Sequence, residues 1–289
     1  MLYLLAVSLL WAFSFGLIKG QLGGLDPTAV TVVRLAFALL VFLPFLRMAK
    51  IPRKALGWLA TIGAIQFGVM YLLYLNSYGF LQAHEVALFT VLTPLYVTLL
   101  DAALENRFQP RHGVAALISV IGAGVLLWHA TYSYDLMKGF VLVQLSNLCF
   151  AAGQIAYKRT RPQLGEASET GVFAVLLGGA LLTTAVVSAF ATHWTQFHPS
   201  LKQWGVLAYL GVLASGLGFF VWNLGVTRVN TGTLAAFNNA KIPLAVACSL
   251  FFFGGQTDMP RLVISMVLLG LAVAVAEHQK KPAPDRVGL

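Results

Sequence analysis

Apolar runs about 20 residues long recur along the whole chain, and a run of that length crosses the hydrocarbon layer of a bilayer as one helix. On that criterion the sequence predicts ten spans, at roughly 2–20, 25–46, 55–79, 84–103, 113–129, 138–157, 170–190, 203–224, 232–253 and 260–276. Barrel strands would alternate apolar with polar residues over about ten positions. These runs do not alternate, so the expected fold class is an all-α integral membrane protein. Composition supports this solvent: 10% of residues are charged, where a soluble domain carries about 25%.

The formal net charge of +9 does not mark a nucleic-acid partner, because the basic residues lie in short clusters between apolar runs. With the N-terminus in the cytoplasm, inner loops hold Arg47, Lys50, Arg53, Lys54, Arg107, Arg111, Lys158, Arg159, Arg161 and Arg228. The tail adds Lys280, Lys281 and Arg286, against Lys19, Lys138, Lys202 and Arg261 outside. The positive-inside rule then predicts both termini cytoplasmic. The N-terminal run lacks a basic flank and is read as a retained first span rather than a cleaved signal. Residues 279–289 are expected to be a disordered cytoplasmic tail. Cys149 and Cys248 both fall in apolar runs and suggest neither disulfide nor metal site.

The chain also repeats itself. "NSYGFLQAHEVALFTVLTPLY" and "WNLGVTRVNTGTLAAFNNAKIPLA" share a glycine, a loop and an apolar span broken by proline, aligning Gly79 with Gly225 and Pro94 with Pro243. "VIGAGVLL" answers "VLLGLAVA", and Ser8 aligns with Ser146. The expected halves are 1–130 and 137–278, each with five spans. Because five is odd, tandem copies insert in opposite senses, an architecture used by carriers with a solute site near the midplane.

The order of "LLWAFSFGLIKG", "VVRLAFALL", "ALFTVLTPLYVTLLDAALENR", "LAAFNNAKIPLAVACSLFFFGGQ" and "LLGLAVAVAE" resembles the EamA-type families of the drug/metabolite transporter superfamily. That resemblance covers nearly the whole chain. It implies a monomeric or homodimeric inner-membrane carrier, its cavity lined by spans 1, 3, 4, 6, 8 and 9, with span 2 peripheral. The family's Gly-Glu ending of the second repeat's fourth span is replaced here by Gly255-Gln256, whereas Leu104-Glu105 keeps the acid in the first.

Lys241 lies near the centre of span 9, where a lysine costs about 2.5–3.5 kcal/mol on insertion scales. Either its ammonium binds an anionic solute group, with Asn238 or Asn239 orienting it, or it pairs with a buried acceptor. The asparagines equally suit interhelix glue. Pro94 and Pro243 are expected helix breaks and gating points, since each removes an amide donor. Trp11 and Phe15 share a helical face, as do Tyr71, Tyr74 and Tyr78. With Trp222 and Gln154 they are candidates to line the path, packing between helices being the alternative. Gln66, Asn76, Gln144, Asn147 and Asn223 add further uncharged polar points. Arg34 either holds a carboxylate or locks spans together, the latter favoured by a peripheral span 2. Glu85 and His84 either carry coupling protons or sit as an exposed pair.

The expected function is secondary transport, exporting amino acids or related small carboxylates. Drug-like compounds, nucleotide sugars and phosphorylated metabolites are the alternative solutes, and a channel the weaker reading. No HExxH, GxSxG or GxxxxGK[ST] occurs, so neither an intramembrane enzyme nor an ATP-driven pump is expected, and no cofactor or metal.

Overall fold

The computed structural model describes residues 1–46, 51–81, 83–127, 134–253 and 259–278, and among them every regular element is helical. The chain runs α1 (Leu2–Gln21), α2 (Pro27–Phe42), α3 (Arg53–Gly63), α4 (Met70–Ser77), α5 (Ala83–Thr90), α6 (Thr93–Glu105) and α7 (Pro110–Leu127). It continues through α8 (Tyr134–Thr160), α9 (Glu169–Ala191), α10 (Leu201–Tyr209), α11 (Gly218–Val226), α12 (Thr231–Phe253) and α13 (Met259–Glu277). Among the described residues seven stretches are long and apolar enough to cross a membrane, from Pro27–Phe45 to Met259–Glu277; Leu2–Ala12 and Pro110–Val125 are shorter apolar stretches. Phe190 and Leu201 are about nine-tenths exposed, a surface suited to hydrocarbon rather than water. The C-terminal tail and Gly255-Gln256 lie outside the described residues.

Local signals set the helix starts. Asp26 caps α2, its carboxylate accepting from the Ala29 amide at 2.7 Å with Pro27 at the first helical position. Ser168 caps α9, and Ser200 with Gln203 forms a capping box on α10. Asn106, at φ 50°, ends α6 in the left-handed region that asparagine tolerates.

The packing pairs come in related sets. α3 and the π-helical turn 64–69 lie on α9, as α2 lies on the π-helical turn 210–217. α1 packs on α12 and α6 on α8; α4 packs on α8 and α1 on α11; α7 pairs with α13. The π-helical turns join α3 to α4 and α10 to α11 within single membrane-length stretches, at matching places in each half. Such turns widen the backbone spiral and recur at functional sites.

Between α3 and α9 the backbones nearly touch. A Cβ added to Gly63 would overlap the Leu176 carbonyl and stand 2.6 Å from its Cα; one on Gly179 would do the same to Ala60. Lipid tails are as apolar as leucine, so close backbone contact between small residues supplies the attraction that a hydrophobic drive cannot.

Pro94 and Pro243 behave differently. Pro94 opens α6 after an interruption at Val91–Leu92, so this span is two half-helices. Pro243 lies inside continuous α12. The interruption leaves carbonyls that side chains fill. Gln144 and Asn147 both donate to the Phe89 carbonyl, at 3.1 and 3.0 Å, and Asn239 donates to the Val91 carbonyl at 3.0 Å. Irregular backbone at membrane depth persists only where protein satisfies it. Asn239 also reaches the Ser119 carbonyl at 3.2 Å and so ties α12 to the break and to α7. Asn239→Leu leaves these carbonyls dry and is expected to lower stability by about 1–3 kcal/mol, read as a lower thermal midpoint of the purified protein.

Candidate solute cavity

A cavity with about 630 Å³ of empty space, part of it open to solvent, lies where helices of both halves meet. α1 contributes Trp11, Ser14 and Ile18, and α4 contributes Met70, Tyr71 and Tyr74. The broken span supplies Thr90 and Thr93, α8 supplies Ser146, Asn147 and Phe150, and the 210–226 stretch supplies Ala214 and Phe219. Lys241 of α12 and Arg34 of α2 complete the wall.

Two cations therefore face one space. The Lys241 ammonium stands 5.8 Å from the centre of the Trp11 ring, within cation–π reach. No ion pair joins Lys241 or Arg34 to a carboxylate among the described residues. None of the described lining residues is acidic. The long Arg34 side chain crosses from α2 to Tyr71, donating from Nη2 to the Tyr71 hydroxyl at 2.8 Å and to Ser215 Oγ at 3.1 Å. Span 2, which the resemblance puts at the periphery, thus reaches the wall through a single residue. Arg34 links α2 to α4 and to the 210–217 turn, and it also lines the cavity.

Aromatic rings build one side. Trp11 lies 5.2 Å from Phe219, 4.9 Å from Trp222 and 6.1 Å from Phe150, and its Nε1 donates to the Ala214 carbonyl at 3.0 Å. That carbonyl belongs to the second π-helical turn, so the wider backbone spiral seats the indole.

Trp222, Gln154 and Asn238 are brought together but do not line the cavity. Trp222 Nε1 donates to Gln154 Oε1 at 3.1 Å, and Asn238 Nδ2 donates to the same oxygen at 3.3 Å and to the Leu234 carbonyl at 2.9 Å. The three form a buried hydrogen-bonded knot among α8, α11 and α12. Asn239 is a clamp on the break rather than a wall residue. Glu85, half-buried in the first turn of α5, is likewise absent from the lining. The side chains of Phe15 and His84 lie outside the described residues.

Sequence reasoning did not single out Ser14, Thr90, Thr93, Ser146 or Ser215. Small hydroxyls in apolar runs usually bond their own helix, as Ser14 does to the Leu10 carbonyl at 3.2 Å. The Thr-Pro pair at 93–94 was the available signal, because a break exposes the residues beside it.

A polytopic helical protein with a cavity among its helices, lined by two cations and beside a broken helix, is of the transporter class. The chain belongs to the EamA-like transporter family, whose model matches residues 1–128 and 137–276. It is a multi-pass membrane transporter and not an enzyme. It is similar to the biotin transporter of Escherichia coli K12, 39% identical over 98% of this chain and 94% of that protein. The biotin transporter of Salmonella typhimurium is 37% identical over the same shares. The aromatic amino acid exporter YddG of Ancylobacter novellus is 24% identical over 76% of this chain and 75% of that one. A crystal structure with 20% identity superposes over 96% of both chains at a TM-score of 0.77, which speaks for the fold.

Proposed function

We propose that this protein is a secondary carrier of biotin or a solute much like it, a neutral ring system bearing one carboxylate. The observation that carries the reading is Lys241 in the cavity, a cation with no acid beside it. Relatives named for biotin supply the solute, and the chemistry of the wall agrees. Biotin presents a carboxylate to the cations and a compact ring to Trp11 and Phe219. An amino acid would also bring an ammonium, for which the described wall offers no carboxylate and two repelling charges. On this ground the reading moves from amino-acid export to a monocarboxylate.

The carrier has ten spans in two inverted five-span repeats, 1–130 and 137–278, both termini in the cytoplasm and the whole in the inner membrane. Alternating access then follows from rocking of one repeat against the other about the cavity. Paired element contacts and matching π-helical turns support this arrangement. Counterflow in proteoliposomes tests it. Labelled biotin should enter saturably against unlabelled biotin, while amino acids and cationic dyes should not compete. Exchange of amino acids without exchange of biotin would overturn the assignment.

A further inference from the structure

We propose that Arg34, seated by Tyr71 and Ser215 in the cavity that the start of α6 also lines, is the anchor that makes this cavity select a carboxylate over its uncharged amide. The inference deepens the function proposed above and rests on it for the identity of the solute.

Arg34 is 2% exposed, yet among the described residues its Nε and Nη1 have no hydrogen-bond partner. An unpaired buried N–H costs about 1–3 kcal/mol, more for a charged group, so such donors persist where a ligand takes them. The rest of the guanidinium is held. Nη2 is engaged by Tyr71 and Ser215, those two hydroxyls lie 3.0 Å apart, and the Tyr71 ring sits 4.5 Å from the guanidinium carbon. One edge is held, and the other is buried without a partner. This is a preorganised donor rather than a free chain that must be ordered on binding.

A second, independent source of positive potential points to the same space. The Val91–Leu92 break starts α6, 13 residues long, inside the protein, and Thr93 at its first turn lines the cavity. A helix N-terminus carries about half a positive charge, and half-helices in carriers aim that end at anionic groups. The break is clamped by Gln144, Asn147 and Asn239, so the helix start is held at the cavity wall. Lys241 adds charge from α12 but has no comparable seat. An ammonium is a movable point charge, whereas a guanidinium is a planar fork. Arg34 therefore sets which headgroup is accepted, and Lys241 contributes attraction for any anion.

The test compares biotin with its primary amide, which keeps the ring and chain and loses the charge. Wild-type counterflow should be half-inhibited by biotin at a concentration about 10–100-fold lower than by the amide, the scale of a charge-assisted hydrogen bond. Arg34→Gln should bring the two within about threefold of each other. Arg34→Lys, the milder variant should glutamine fail to fold, should cut the ratio at least about threefold. Lys241→Gln, read by thermal stabilisation rather than by flux, should bind biotin more weakly yet still prefer it to the amide. If Arg34→Gln or Arg34→Lys keeps the wild-type ratio, Arg34 is only a strut and the proposal is overturned. If the wild type does not move biotin, the solute is wrong, and the anchor is read instead by thermal stabilisation with 5-phenylpentanoate and its amide. Equal stabilisation of the wild type by both, or a preference undiminished in Arg34→Lys, overturns the anchor itself.

Discussion

Replacing Lys241 by alanine abolishes solute flux while the protein still inserts and purifies folded. The two halves of this expectation have different physical sources. Insertion improves, because a midspan lysine costs about 2.5–3.5 kcal/mol. The contact given up is the 5.8 Å cation–π approach to Trp11, worth about 0.5–2 kcal/mol. Transport suffers because the carboxylate loses an ionic partner at a site with no other mobile cation. A charge-assisted contact of about 1.5–3 kcal/mol corresponds to roughly 10–100-fold in binding, and a carrier loses flux when its solute no longer drives closure. Counterflow in proteoliposomes, beside size-exclusion of the same preparation, reads both halves. Wild-type rates from the alanine protein would make Lys241 a structural cation.

The second large effect falls on folding. Gly63→Ala is expected to remove most of the folded protein, and Gly179→Ala likewise. At both positions the obstacle is backbone, the Leu176 and Ala60 carbonyls, so no rotamer change relieves it. The helices must separate, and in a membrane close contact is itself the source of association. A cost at the upper end of point-mutant effects, about 4 kcal/mol or more, follows. The two sites share one crossing, so the double variant should lose less than the sum. Gly124→Ala is the control: nothing lies within 4 Å of its Cβ position, and alanine in a helix favours folding slightly. Folded yield and thermal midpoint should rank Gly124→Ala near wild type and the other two far below. A Gly63→Ala protein with a wild-type midpoint would show that the crossing tolerates separation.

The sequence made the solvent, the helical class and the duplication legible because each is a long-range pattern, such as runs of fixed length and motifs recurring in order. Lys241 was legible because a charge in an apolar run has few explanations. Arg34 was half legible. Its type suggested a carboxylate partner, but only the tertiary path from α2 to Tyr71 and Ser215 brings it to the cavity. The neighbouring asparagines illustrate what pattern cannot carry. Asn238 and Asn239 read as equivalent candidates beside a lysine, yet about 100° of helix rotation sends one to Gln154 and the other to the Val91 carbonyl. The prolines diverge in the same way. Pro94 follows an interruption whose carbonyls are filled by amides from α8 and α12, whereas Pro243 sits in an unbroken helix. Partners 58 to 148 positions away decide such cases, and composition does not record them.

Photolabelling with a diazirine carried on the carboxyl-bearing chain of biotin, followed by peptide mapping, tests the central claim most directly. Labels should fall on the peptides around Trp11, Tyr71 and Phe150, disappear with excess biotin, and be lost in Lys241→Ala. Labelling confined to lipid-facing positions such as Phe190, or labelling at the cavity that excess biotin does not reduce, would contradict a solute site enclosed between the two halves.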